Sequence, residues 1–264
     1  RDLPTPIMRQ LCDQLPRLDR GPSGREIRLA IELLMDTGRR PDEILRLRWD
    51  CLSRDPDGAA VLVYDNHKRY RRDRRLPISQ ATAELIIAQQ ARVRERFHGT
   101  PLAELVLLPT PHANPDGRRP ISGGLLDMRH RTWIDQLPTI RLDDGIEFDT
   151  AKIVPYAYRH TYAQRHADAG VPIDVLSELL DHRTLEITRR YYRVGEERRR
   201  AAIDMVTALS FDRHGHRIWR DAQALLDSEH ARYTVGEVAV PYGRCAEPSN
   251  VQAGGGACPV RFRC

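Results

Sequence analysis

The chain has 264 residues, 41% of them hydrophobic and 30% charged, the balance of an ordinary globular protein large enough for a sizeable core. Its 42 Lys and Arg against 37 Asp and Glu leave a formal charge of +5, too mild an excess to identify a polyanion partner unaided. No apolar run approaches membrane-spanning length and no signal peptide opens the chain, so no membrane partner is expected and the expected location is the cytoplasm.

In residues 26–37 (EIRLAIELLMDT), Ile27, Ala30, Ile31 and Leu34 fall on one helical face, and Gly38 is a good stop. Pro41 suits the first turn of a second helix, with Asp42 and Glu43 favourable at its positive end. That helix is expected to reach about residue 49. Residues 59–64 (AAVLVY) and 75–78 (RLPI) read as short strands joined by a hairpin loop. Residues 66–75 (NHKRYRRDRR) of that connection hold 6 Lys/Arg against 1 Asp. Ser79 caps a helix to about residue 96. Pro101, Pro109, Pro111, Pro115 and Pro120 make residues 97–120 mostly loop. Ser122 opens a helix to about residue 137, and 138–154 read as irregular. Helices follow at 155–169, closed by Gly170, and at 172–180; a third, capped by Thr184, carries Tyr191. Residues 195–209 are helical again; the tail from Pro241 has no helical period. The expected architecture is mainly α with a small antiparallel sheet, an α+β fold, with a catalytic part at 1–210 and an extension at 211–264.

There are five cysteines, an odd count that argues against a closed disulfide framework. Cys12 and Cys51 are expected to be small core residues. Starting on Arg1 and stopping on Cys264, the chain reads as a piece of something longer. The hairpin run and a second cluster at Arg189, Arg190, Arg193, Arg198, Arg199 and Arg200 read either as solvated faces or as phosphate-binding surface.

Four separated segments hold the chemistry. They are Thr37-Gly38-Arg39-Arg40-Pro41-Asp42-Glu43; Lys68 on the basic hairpin; Tyr156-Ala157-Tyr158-Arg159-His160; and Leu179-Leu180-Asp181-His182, followed by Thr188-Arg189-Arg190-Tyr191. In order and spacing this set resembles the tyrosine recombinase (phage integrase) family over roughly residues 25–195, and specifically a bacterial subgroup with a Cys-rich carboxy-terminal tail. The resemblance implies a site-specific recombinase or integrase acting on duplex DNA for a mobile element, with Tyr191 forming a 3′-phosphotyrosine and freeing a 5′-hydroxyl. Arg40 and Arg159 would clamp the phosphate oxygens by bidentate hydrogen bonds, which lysine does not imitate. His182 would hydrogen-bond the phosphate and Lys68 would protonate the leaving oxygen. Glu43 would orient Arg40 or neighbouring groups, and His160 is expected to bond a neighbouring backbone carbonyl. Arg69, Arg71, Arg72, Arg189 and Arg190 are candidate DNA contacts. The resemblance implies that catalysis needs no metal or other cofactor, and the covalent phosphotyrosine keeps the bond energy so that resealing needs no ATP.

Two positions depart from the family pattern. Tyr156 stands where a histidine is usual, either as a core aromatic or as a site residue, and at its ordinary pKa is a poor base near neutral pH. Asp181 stands where glycine is usual; if the backbone there is left-handed, Asp tolerates it better than most residues. Tyr192 competes with Tyr191, but the His182 and Thr188 spacing favours Tyr191, and adjacent residues do not share a helix face. Cys245, Cys258 and Cys264 supply three of the four ligands a structural zinc wants, with His230 as a weaker candidate; the alternative is a tail with free thiols. Because Arg40 comes so early, the family's amino-terminal core-binding domain is expected to be absent, giving weak DNA binding and a monomer for this stretch, against a homotetramer on DNA for the whole protein. The rival readings are a type IB topoisomerase and a DNA-binding protein that keeps the fold without activity.

Overall fold

The computed structural model describes residues 2–192 and, beyond them, the backbone of two short strands. The chain divides into two units, residues 1–193 and 194–264.

In the first unit, helix α1 (Thr5–Gln14) and a 3-10 turn lead into α2 (Gly24–Thr37). Ile27, Ala30, Ile31 and Leu34 are fully buried, as the spacing predicts. Leu29, Leu33 and Met35 are buried too, so α2 is enclosed on more than one face and serves as the core's axis. Around it pack α3 (Pro41–Leu45), α4 (Gln80–Arg96), α5 (Gly123–Asp135) and α6 (Pro155–Asp168). Ser79 and Ser122 cap α4 and α5 by accepting from Thr82 N and Leu125 N. The sheet is antiparallel, in the order β1 (Leu52–Arg54), β2 (Ala60–Asn66), β3 (Arg71–Pro77). Leu62 faces both Leu52 and Leu76 across it, and Leu62 and Leu76 are buried in the main core. Two short helices, α7 (Ile173–Leu179) and α8 (Leu185–Arg189), complete the unit. Among the described residues, no helix is long and apolar enough to cross a membrane.

Several elements differ from expectation. Helix α3 stops at Leu45 rather than near 49, because the following backbone is drawn into long-range pairing: Trp49 N–H donates to Leu105 O and Leu107 N–H to Leu47 O, both at 2.9 Å. Helix α1 is additional to the expected elements; it buries Ile7 and Leu11, and Leu3 N–H donates to Thr161 Oγ1 at 2.8 Å. Strand β1 is additional too, because Leu52-Ser53-Arg54 carries no strand signal of its own. Cys51 is buried, but Cys12 is exposed on α1, not a core residue. Tyr191 lies past the end of α8, in a turn where its N–H bonds Thr188 O at 3.0 Å.

In the second unit the described strands, β4 (Val238–Val240) and β5 (Gly243–Cys245), pair antiparallel. Cys245 lies in β5; Cys258, Cys264, His230 and the expected helix at 195–209 lie outside the described residues.

Candidate active site

The site forms where the start of α3, the β2–β3 turn, the start of α6 and the α7–α8 region converge. Gly38 ends α2 in the left-handed region at φ 60, and a Cβ there would press on the Tyr162 ring. The turn delivers Arg40 as the N-cap of α3. The buried Glu43 carboxylate accepts from Arg40 N–H at 3.0 Å and from Arg40 Nη1 at 2.6 Å. Burial works against the guanidinium charge, but Glu43 outweighs it and lifts the Arg40 pKa. Glu43 therefore holds Arg40 in place.

Arg159, on the second turn of α6, is 2% exposed. Its Nη1 donates to Gly38 O and its Nη2 to Leu180 O, each at 2.7 Å. These bonds use two of its five N–H donors and leave the others for a ligand. Burial, with Arg39 and Arg40 adding repulsion, lowers its pKa to about 10, so it stays charged at neutral pH. Arg39, beside the expected clamp residue, is fully buried. It donates to Tyr64 Oη and to Leu179 O and lies 4.7 Å over the Tyr64 ring. Nothing local in the sequence separates Arg39 from its exposed-looking neighbour; both of these partners are distant along the chain.

Tyr191 is 5% exposed. Its Oη lies 2.9 Å from His160 Nδ1 and accepts from Arg190 Nη2 at 3.1 Å. His160 thus meets the phenol, not the backbone carbonyl expected of it. Burial first, with the positive charges of Arg190 and Arg159 adding to it, lowers the His160 pKa to about 4; the ring is neutral at pH 7. Tyr192 Oη donates instead to Val171 O, which separates it from the partners of Tyr191. Tyr156 is 43% exposed, which rules out the core-aromatic reading. It sits edge-on to His160, ring centroids 5.2 Å apart.

His182 stacks nearly parallel to Tyr191, and its Nδ1 lies 2.8 Å from the hydroxyl of the buried Thr188. Burial, followed by the charges of Arg159, Arg40, Arg190 and Arg69, lowers its pKa to about 3. All four guanidinium groups lie within electrostatic reach of one imidazole. Asp181 does adopt a left-handed backbone, at φ 50. On the hairpin turn, Lys68 is exposed and makes no ion pair among the described residues. Arg69, next to it, lies within electrostatic reach of Arg40, Arg71, Arg183 and Asp181. Arg71 pairs with Asp181 at 2.9 Å, Arg72 is exposed and Arg189 lies 3.7 Å from Glu186. The structure thus gathers Arg40, Arg159, His160, His182, Arg69, Arg190 and Tyr191, with Lys68 solvent-exposed on the adjoining turn. No group of metal-ligating side chains occurs among the described residues.

The chain has relatives among known proteins. Over 173 residues the chain is 27% identical to a resolvase of Escherichia coli K12, covering 63% of this chain and 64% of the resolvase. Over 168 residues it is 26% identical to transposase B from transposon Tn554 of Staphylococcus aureus, covering 62% of this chain and 24% of the transposase. The chain thus spans less than two thirds of either relative. The fold is shared with the XerH site-specific recombinase bound to its difH substrate, with a TM-score of 0.57 at 15% identity, over 78% of this chain and 54% of that one. It is also shared with the Tn1549 transposon integrase in complex with transposon right end DNA, with a TM-score of 0.52 at 17% identity, over 79% of this chain and 66% of that one. The profile of the phage integrase family matches residues 7–198, a span that contains every residue gathered at the site, and the chain belongs to that family.

Proposed function

We propose that this chain is the catalytic part of a site-specific DNA recombinase or integrase that cleaves and rejoins duplex DNA through a phosphotyrosine on Tyr191. The observation that carries the reading is the setting of the Tyr191 phenol, in hydrogen-bond contact with a neutral imidazole and a guanidinium donor. A phenol with a pKa of about 10 is a weak nucleophile near neutral pH unless a base takes its proton and nearby cations favour the phenolate.

In the forward step Tyr191 Oη attacks phosphorus, its proton passes to His160 Nδ1, and the bond from phosphorus to the 5′ oxygen breaks. Arg40 and Arg159 neutralise the charge growing on the non-bridging oxygens with the donors they retain. A neutral His182 donates to the phosphate through Nε2 when the Thr188 hydroxyl donates to Nδ1, which selects that tautomer. The 5′ oxygen leaves with a proton from Lys68; the neighbouring Arg69 is effectively always protonated and gives none. Religation runs the step backwards without an added energy source. Each protomer carries one Tyr191, so exchange between two duplexes, four strands in all, needs four protomers.

The test is to capture the covalent intermediate. A pool of nicked suicide duplexes with a randomised core is incubated with the full chain, and adducts are recovered from a denaturing gel. The expected adduct is lost in Tyr191→Phe and kept in Tyr192→Phe. DNA binding with no adduct from the unmutated chain defeats the reading and favours a DNA-binding protein. Adducts with supercoil relaxation by a monomer and no strand exchange favour a topoisomerase.

A further inference from the structure

The carboxylate of Asp181 is 1% exposed, beside a site built for an anionic phosphate. A carboxylate there is costly unless it is paired and hydrogen-bonded. Its partners all come from the β2–β3 hairpin: Asn66 Nδ2 donates to Oδ2, Arg71 Nη1 donates to Oδ1 at 2.9 Å, and Arg74 Nη2 lies 3.8 Å away. Burial pushes the carboxyl pKa up, but the Asn66 hydrogen bond and the charges of Arg74, Arg71 and Arg69 outweigh it, and the group stays ionised.

The connection is localised. A cleft of about 290 Å³, lined by Arg71, Arg74, Asp174, Ser177, Asp181 and His182 among others, opens beside it. Asn66 closes β2, just after the register shift between Tyr64 and Asn66, and Arg71 opens β3. The two hydrogen bonds therefore grip both feet of the turn that carries Lys68 and Arg69. Within that turn, Arg69 Nη1 is buried with no partner among the described residues, a donor left open within electrostatic reach of Arg40 and His182. Asp181 is adjacent in the chain to His182, so one residue joins the hairpin to the phosphate-binding imidazole.

We propose that Asp181 is a positioning residue that docks the β2–β3 hairpin on the catalytic centre through Asn66 and Arg71, so that the turn presents Arg69 and Lys68 to the scissile phosphate. The inference rests on the recombinase reading for its catalytic consequence, not for the docking itself. A plain electrostatic account predicts the opposite effect on rate, since removing a negative charge next to a phosphate should help the reaction.

Two variants test it in the full chain. Asp181→Gly keeps a backbone suited to φ 50. Arg71→Met releases the other side of the contact from an Arg71 side chain that is 53% exposed, so folding is not at stake. In DNA-free protein, hydrogen exchange of the amides at 66–73 should rise at least about tenfold in both variants, as expected of an element that opens locally. With the randomised nicked pool, adduct formation at saturating protein should slow about tenfold in both. Half-saturation should be unchanged or tighter for Asp181→Gly, and the double variant should be no slower than either single one. Unchanged hairpin exchange in both variants overturns the proposal, as does faster exchange with an unaltered adduct rate. An unmutated chain that forms no adduct overturns the recombinase reading, while the exchange measurement still decides the docking.

Discussion

His160 bears the largest residue-scale consequence. Tyr156 leaves the usual histidine position without an imidazole, and the imidazole that reaches the Tyr191 phenol comes from one turn further along α6. A positioned base contributes about 10²–10⁴ in rate. Replacing it with His160→Gln should therefore slow adduct formation by about that factor near neutral pH, with DNA binding unchanged. Without an internal base, the reaction depends on the fraction of phenolate, so the rate of the variant should climb as pH rises. The unmutated protein, whose His160 is already neutral well above pH 4, should show a nearly flat rate from pH 6 to 9. Single-turnover adduct rates across that range are the check; parallel profiles for the two proteins would remove His160 from the proton path. The sequence showed His160 as part of a motif but could not show its contact, because Tyr191 lies 31 positions away.

At the scale of elements, α5 and α6 are joined by a buried polar pair: His130 Nε2 lies 2.8 Å from Tyr158 Oη, immediately before Arg159. Burial, with Arg131 adding repulsion, lowers the His130 pKa to about 4. An unfolded histidine titrates near 6.5, so the folded state loses stability as pH falls from there towards 4 and keeps it in full above. Each tenfold change in proton affinity is worth about 1.4 kcal/mol, so the full loss amounts to roughly 3 kcal/mol. His130→Phe should be less stable at pH 7, because it leaves the Tyr158 hydroxyl buried without its partner. It should lose distinctly less between pH 6.5 and 4.5 than the unmutated chain. Urea midpoints at those pH values decide it; equal losses would mean that His130 titrates normally. Elements with a local signal were legible: the face of α2, the Gly38 stop, the caps at Ser79 and Ser122, and the hairpin. What escaped was set by distant partners. The end of α3 is drawn away by residues 105–107, β1 exists because β2 lies beside it, and α1 is held by the core it covers.

For the whole molecule, net charge is a poor guide and placement a better one. The motif residues Arg40, Arg159, His182 and Tyr191 come together, but three neighbours have uses that a motif does not reveal. Arg39 is sealed into the core, Arg71 is committed to Asp181, and Arg190 donates to the Tyr191 hydroxyl. The candidate DNA contacts Arg69, Arg71, Arg72, Arg189 and Arg190 thus differ in how freely they meet phosphate, and salt dependence measures that difference. Each phosphate neutralised on duplex DNA contributes about −0.9 to the slope of log affinity against log salt. If all five engage, the slope should be about −4.5; if Arg71 stays with Asp181, it should be nearer −3.6. Titrations of the full chain against one duplex, from low to moderate salt, give the number. Arg72→Ala, at an exposed position, should reduce the slope by about 1 and weaken binding alike on unrelated sequences. A slope near zero would mean that the basic hairpin is a solvated face and would remove DNA from that surface.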